Sequence, residues 1–288
     1  MALFNRRTTG SVVCPSCGSL VGVKDAACYN CGRSNPGLFG YGPLLRQISA
    51  RFGFAQFVIG VSSFLYVASL LLSGSDLRVA GGGMSFLAPS PNATALLGES
   101  GAYPVVVHHQ WWTLLSATWL HGSFLHILFN MMWVRDLEPA VSELIGTSRT
   151  VVIYVISGVA GFAVSSLMPL SPIHIPLFFG AGYTLGASAS IFGLLGALVH
   201  YGRKSGSSYT YSQAMRYAVI LFVMGLIMPG IDNTAHLGGF AGGYLMSAAF
   251  NPMSRERGDH MVIALLCLLA TFVAIAASVL SGLPLFLR

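Results

Sequence analysis

The sequence predicts an all-α polytopic membrane protein, a bundle of seven spanning helices preceded by a small cysteine-knuckle module. Three observations carry that prediction. Of the 288 residues 54% are hydrophobic and only 8% charged, with a mean hydropathy of +0.71, against roughly 25% charged residues in an ordinary soluble domain. Uncharged stretches approaching the ~20 residues of a spanning helix begin near Phe52, Thr113, Val151, Ala181, Tyr217, Thr234 and Met261, the fifth and sixth being short. Four cysteines crowd the first 33 residues, and a fifth, Cys267, falls in the last apolar stretch as a buried filler.

The first element, residues 1–33, contains CPSCG and CYNCG, two CxxC knuckles separated by ten residues. Each knuckle turns two thiolates toward one ion, and Gly18 and Gly32 permit the tight turn that follows. Cys14, Cys17, Cys28 and Cys31 thereby complete a closed tetrahedral site for one structural zinc. Over this short region the chain resembles the zinc-ribbon family. The alternative, two disulfides, conflicts with the reducing compartment that the charge distribution implies. The module is expected to have a partner that the sequence does not identify. Residues 34–51, opening with the Pro/Gly-rich Asn35–Gly42, are expected to link it to a membrane domain over 52–288.

No compact apolar core follows Met1, so no cleavable leader is expected and the first span serves as an anchor. With the N-terminus in the cytoplasm, segments 1–51, 135–150, 200–216 and 251–260 lie inside and hold 13 of the 15 Lys and Arg. That asymmetry predicts the orientation by the positive-inside rule, with the C-terminus external after seven spans. The net charge of +6 reflects this topology and contact with anionic lipid rather than nucleic acid. The segment from Gly74 to Leu120 is too apolar for a flexible linker. It reads as a partly embedded structure with a turn at Gly81–Gly83 and an interfacial pair at Trp111 and Trp112.

Three of the apolar stretches carry polar residues suited to acyl transfer: Ser188 in GASASIFG, His126 and Asn130 in HGSFLHILFN, and His236 in NTAHLGGFAGG. Starting the second helix after Gly122-Ser123 puts Asn130 about 10 Å down at 1.5 Å per residue. Ser188, six residues past Gly182, and His236, a similar distance past Pro229-Gly230, then share that level near the outer face. His126 and Asn130, at i and i+4, occupy one side of their helix. The same start draws Arg135, Asp136 and Glu138 inward, where they must pair, snorkel or face the bundle.

Over roughly Phe52 to Phe250 these motifs resemble the rhomboid family of intramembrane serine proteases. Gly186-Ala187-Ser188-Ala189 is similar to its GxSx motif, His126 to Asn130 to its HxxxN, and Ala235-His236 with Gly239 and Gly243 to its AHxxGxxxG. The resemblance implies a six-helix bundle over 52–250 with a seventh helix, 261–281, added. It also implies a Ser188-His236 dyad without a catalytic cofactor, acting on single-span membrane proteins cut after a small residue near the outer surface. The Ser188 backbone N–H with His126 and Asn130 would receive the oxyanion, and Phe192, where many relatives carry tyrosine, would stack on His236. Gly239 and Gly243, opposite Ala189, Gly193 and Gly196, would let two helices approach closely. Three positions depart from the pattern: Ala189 for a glycine, Thr113 for an arginine that anchors the outer loop, and Glu138 for a glycine.

Plainer readings stand beside these. A membrane-helix serine ordinarily bonds back to its own helix, and Ser190 keeps that reading. Asp232, one turn before His236, is either a third catalytic member or a solvated cap. His121 reads as structural, and His108, His109, His174, His200 and His260 as solvated or interfacial. The alternative function is an inactive rhomboid-like binder or chaperone of transmembrane helices, although this chain keeps both serine and histidine. A small transporter is disfavoured because no inverted repeat is evident.

Overall fold

A computed structural model describes residues 6–15, 17–43, 53–79, 85–172 and 178–286. The expected turn at Gly81–Gly83, His174 and residues 44–51 of the expected linker lie outside the described residues. Strands β1 (Ser11–Val13) and β2 (Leu20–Gly22) form an antiparallel hairpin over a small core of Val12, Val21 and Val23 with the cysteines. Asn35–Tyr41 folds back onto this hairpin, with the Arg7 N–H donating to the Gly40 carbonyl at 3.0 Å.

Seven long helices follow among the described residues: α1 (Phe54–Ser73), α3 (Phe124–Ile145), α4 (Thr147–Leu167), α5 (Ser188–Ser205), α6 (Ser208–Ile227), α7 (Asn233–Phe250) and α8 (Gly258–Phe286), with the short α2 (Pro91–Leu97) between the first two. Only α1, α4, α6 and α8 are apolar and long enough to cross a membrane by composition alone. The other three, α3, α5 and α7, carry the candidate site residues, and their polar groups lower their hydropathy. They are held by packing instead, α7 lying against both α4 and α5. Glycines make that contact possible. A Cβ at Gly239 would overlap the Ala189 carbonyl, one at Gly243 the Gly193 carbonyl, and one at Gly196 the Phe240 carbonyl.

Local signals explain several helix starts. The Ser123 hydroxyl accepts the His126 N–H at 3.2 Å, so α3 begins after Gly122-Ser123 as expected. Ser90 caps α2 with Pro91 in its first turn, and Ser207 caps α6. Two expectations need correction. Ser188 is not six residues into a helix from Gly182 but the first residue of α5, because residues 181–184 pair with the backbone of 100–103 (Ala102 N–H to Ala181 O, 2.9 Å; Thr184 N–H to Ser100 O, 2.7 Å). The fifth helix is not short, whereas the sixth is, as expected. α6 begins at Ser208, nine residues before the uncharged stretch, because Arg216 lies within the helix, and α7 runs 18 residues.

The charged residues drawn inward by the α3 start take two courses. Arg135 and Asp136 form an exposed ion pair at 2.7 Å. Glu138 is buried, accepting the Ala55 N–H at 3.0 Å and the Ser142 hydroxyl, and so caps the N-terminus of α1. His260, expected at a solvated end, is buried: its Nδ1 accepts from Arg149 Nε at 3.1 Å, and Arg149 also binds the carbonyls of Ser254 and Arg255. This cluster ties the start of α4 to the segment leading into α8.

The described residues of the segment from Gly74 to Leu120 pack on the bundle as expected. Thr113, in place of the arginine common in the family that the sequence resembles, donates its hydroxyl to the Gln110 carbonyl at 2.8 Å. The segment is held by other hydroxyls, Ser116 to the Gly98 carbonyl at 2.7 Å and Tyr66 to the Leu87 carbonyl at 2.5 Å. Helix α8 packs on α2, on the helical turn Thr113–Ser116 and on α4, with Ser278 against Gly98 and Gly282 against Leu96.

Candidate active site

Ser188, Phe192, His236, His126 and Asn130, from three helices, line one cavity of about 1300 Å³. The chain reaches Ser188 through Gly186, whose φ of 128° is unfavourable for any residue with a side chain. The Gly186 N–H donates to the Ala117 carbonyl at 2.9 Å. As the first residue of α5, Ser188 has a backbone N–H without an intrahelical acceptor, at the positive end of the helix dipole. Ser190, by contrast, is fully buried and donates its hydroxyl to the Tyr154 carbonyl at 2.6 Å.

His126 sits in the first turn of α3. Its Nδ1 accepts a long hydrogen bond from the Gly122 N–H at 3.4 Å. With Nδ1 an acceptor, the neutral ring carries its proton on Nε2. That nitrogen lies beside Gly186, 2.6 Å from where a Cβ would be, which is a second reason for glycine there. Asn130 is buried and gives one N–H of its Nδ2 to the His126 carbonyl at 2.8 Å, leaving a second N–H at the cavity wall. His121 is buried with its ring edge-on to His126 at 5.2 Å.

His236 lies in the first turn of α7, buried, with the Phe192 ring stacked on it at 4.2 Å. Asp232 is the N-cap of α7: Oδ1 accepts the Ala235 N–H at 3.0 Å and Oδ2 the Ser165 hydroxyl at 2.5 Å. The cap reading of Asp232 therefore holds, although it is committed to protein partners rather than solvated. His236 Nδ1 is 3.0 Å from Asn233 Oδ1, and among the described residues no hydrogen bond joins His236 to Ser188. Reading the sequence missed Asn233. It stands three residues before His236 on the same helix face, and that spacing was the available signal, but the adjacent Asp232 drew the assignment.

The arrangement offers a hydroxyl, an imidazole and three N–H groups around one cavity shared by three helices. Such a set can attack a carbonyl, take up the hydroxyl proton and stabilise the resulting oxyanion.

The four N-terminal cysteines are not joined as disulfides. Their sulfurs lie within 4.8 Å of one another, with Cys14 to Cys31 at 3.7 Å and Cys17 to Cys28 at 3.5 Å. A tetrahedron with metal–sulfur bonds of about 2.3 Å has edges of about 3.8 Å, so the cluster fits a metal ion. Both knuckles close alike: the Gly18 N–H donates to Cys14 O at 3.0 Å and the Gly32 N–H to Cys28 O at 2.9 Å, each glycine at positive φ.

Residues 108–253 match the profile of the rhomboid domain. The chain is 32% identical over 164 residues to RHOMBOID-like protein 4 of Arabidopsis thaliana, covering 56% of this chain and 39% of that protein. It is 26% identical over 209 residues to the rhomboid protease GluP of Bacillus subtilis, covering 71% of this chain and 38% of GluP. To the putative rhomboid protease YdcA of the same bacterium it is 30% identical over 146 residues, 49% of this chain and 68% of YdcA. The chain thus spans about two fifths of the length of the first two relatives.

Proposed function

The chain belongs to the rhomboid family, and on that premise we propose that it is an intramembrane serine endopeptidase using Ser188 as nucleophile and His236 as base. One observation carries the reading: Ser188, His236, His126 and Asn130, from three helices, line one cavity. His236 Nε2 takes the Ser188 proton as Oγ bonds to the substrate carbonyl carbon. The oxyanion receives hydrogen bonds from the Ser188 N–H, His126 Nε2–H and Asn130 Nδ2–H. Collapse breaks the C–N bond, and His236 returns the proton to the leaving amine. Water, activated by the same imidazole, then releases the acyl group.

The substrates are single-span membrane proteins whose helices unwind near the outer face, cut after a small residue. The charge asymmetry supports a cytoplasmic N-terminus, an external C-terminus and a site open to the outside. The four cysteines hold one structural zinc, whose chemistry is to fold the ribbon, and catalysis needs no cofactor.

A fluorophosphonate probe, mapped by peptide sequencing, tests the assignment beside cleavage of single-span substrates in liposomes. The adduct and the cleavage should both vanish in Ser188→Ala, and labelling should persist in Ser190→Ala. Binding of transmembrane helices without adduct or cleavage would overturn the protease reading in favour of a helix-binding protein.

A further inference from the structure

Asn233 is buried at 5% exposure, and both ends of its amide are engaged. Oδ1 lies 3.0 Å from His236 Nδ1, and Nδ2 donates to the Phe222 carbonyl of α6 at 3.3 Å. An amide alone leaves its orientation ambiguous, but here a backbone carbonyl, which can only accept, stands at one end. It selects the NH₂ group for itself and turns Oδ1 toward the imidazole. An oxygen that only accepts then requires the proton on Nδ1 of a neutral ring, which leaves the Nε2 lone pair unprotonated. Gly225 of α6 supplies the room, since a Cβ there would overlap Asn233 Oδ1.

We infer that Asn233 is a positioning residue: through the Phe222 carbonyl it holds His236 as the Nδ1–H tautomer, with Nε2 available to accept the Ser188 proton. This rests on the protease reading for its purpose but not for its geometry. It supplies the third member that the Ser188-His236 pair lacks, as a neutral amide instead of a carboxylate. It also makes the competence of the base depend on the seating of α6, which contributes Tyr217, Leu221 and Met224 to the cavity wall.

The test uses the full-length chain with ¹⁵N-labelled histidine and three variants, Asn233→Leu, Asn233→Asp and Gly225→Ala. In the parent, the His236 ring should give an Nδ1–H signal and an unprotonated Nε2. Asn233→Leu should lose that preference and lower kcat by about tenfold, the rate equivalent of one neutral hydrogen bond, with KM little changed. Asn233→Asp keeps an acceptor for Nδ1–H and should retain the tautomer and more of kcat. Gly225→Ala, which displaces the amide while leaving Asn233 in the chain, should behave like Asn233→Leu. A parent protonated on Nε2, or a folded Asn233→Leu with unchanged tautomer and kcat, overturns the inference. Equal impairment of the Asp and Leu variants reduces Asn233 to packing and overturns it too. Failure of the probe to label Ser188 removes the protease reading instead, and the tautomer result stands by itself.

Discussion

The Phe192 ring lies nearly parallel to the His236 imidazole, with centroids 4.2 Å apart and planes 16° from one another. Phe192 is one helical turn beyond Ser188, so one helix carries both the candidate nucleophile and the face against which the candidate base rests. Stacked aromatic pairs contribute about 0.5–1.5 kcal/mol beyond area burial. Phe192→Ala should therefore lower kcat by up to about tenfold, and Phe192→Tyr should stay near the parent. Steady-state cleavage of a single-span substrate reads the difference; a full-rate, folded Phe192→Ala would return the contact to packing.

The oxyanion donors should matter less than the dyad. Removing one such donor costs about 10² to 10³ in rate, so His126→Ala and Asn130→Ala should each be impaired by that amount while still labelling at Ser188. If either folded variant turned over like the parent, that side chain would be reassigned to structure.

The contact between α5 and α7 should not tolerate a methyl group. Gly243→Ala drives a Cβ into the Gly193 carbonyl, and overpacking of this kind costs about 1–3 kcal/mol. Thermal unfolding in detergent should show a lowered midpoint. The same change at Gly60 of α1, where nothing lies within 4 Å of the added atom, should leave the midpoint unchanged or raise it.

Glu99 lines the cavity, and burial raises its carboxyl above the usual carboxylate range, with the Thr94 hydroxyl pulling partly back. A carboxyl raised by folding binds its proton more tightly in the native state than in the unfolded one. Stability is then lost as pH rises from the ordinary carboxylate range through the folded value. Glu99→Gln should match the parent at acid pH and gain on it as the pH is raised, read from unfolding midpoints across a pH series. A constant offset would mean that the carboxyl titrates normally.

The ribbon should bind one zinc per chain, lost on replacing Cys14, Cys17, Cys28 or Cys31 with serine, as measured by elemental analysis. Its core of Val12, Val21 and Val23 is separate from the helical core, so a folded chain lacking the first 40 residues should keep its turnover. Complete loss there would show that the module takes part in catalysis.

Much of this was legible in the residues alone. Composition alone marks α1, α4, α6 and α8 as long and apolar enough to span a membrane, because apolar length is a local property. The CxxC spacing and its glycines predicted the clustering of the four cysteines, and Ser123 marked the start of α3 because a capping hydroxyl acts within one turn. His126, Asn130, Ser188 and His236 could be singled out because each interrupts an apolar run. Helix starts set by partners elsewhere could not be read this way. Ser188 opens α5 only because residues 181–184 pair with the backbone near Ser100, some eighty residues earlier, and nothing between Gly182 and Ala187 announces that pairing.

By itself, then, the sequence determined the helical fold class, the apolar length of α1, α4, α6 and α8, and the local caps that begin several of the helices. Tertiary structure alone decided how the leftover polar groups are satisfied. Glu138 caps a helix through the Ala55 amide, 83 residues away, and Asn233, not Asp232, faces His236 because the Phe222 carbonyl of a neighbouring helix orients its amide. The physical reason is that hydropathy and capping act over one helical turn, whereas a buried polar group takes whichever partner the packing of distant helices brings within reach.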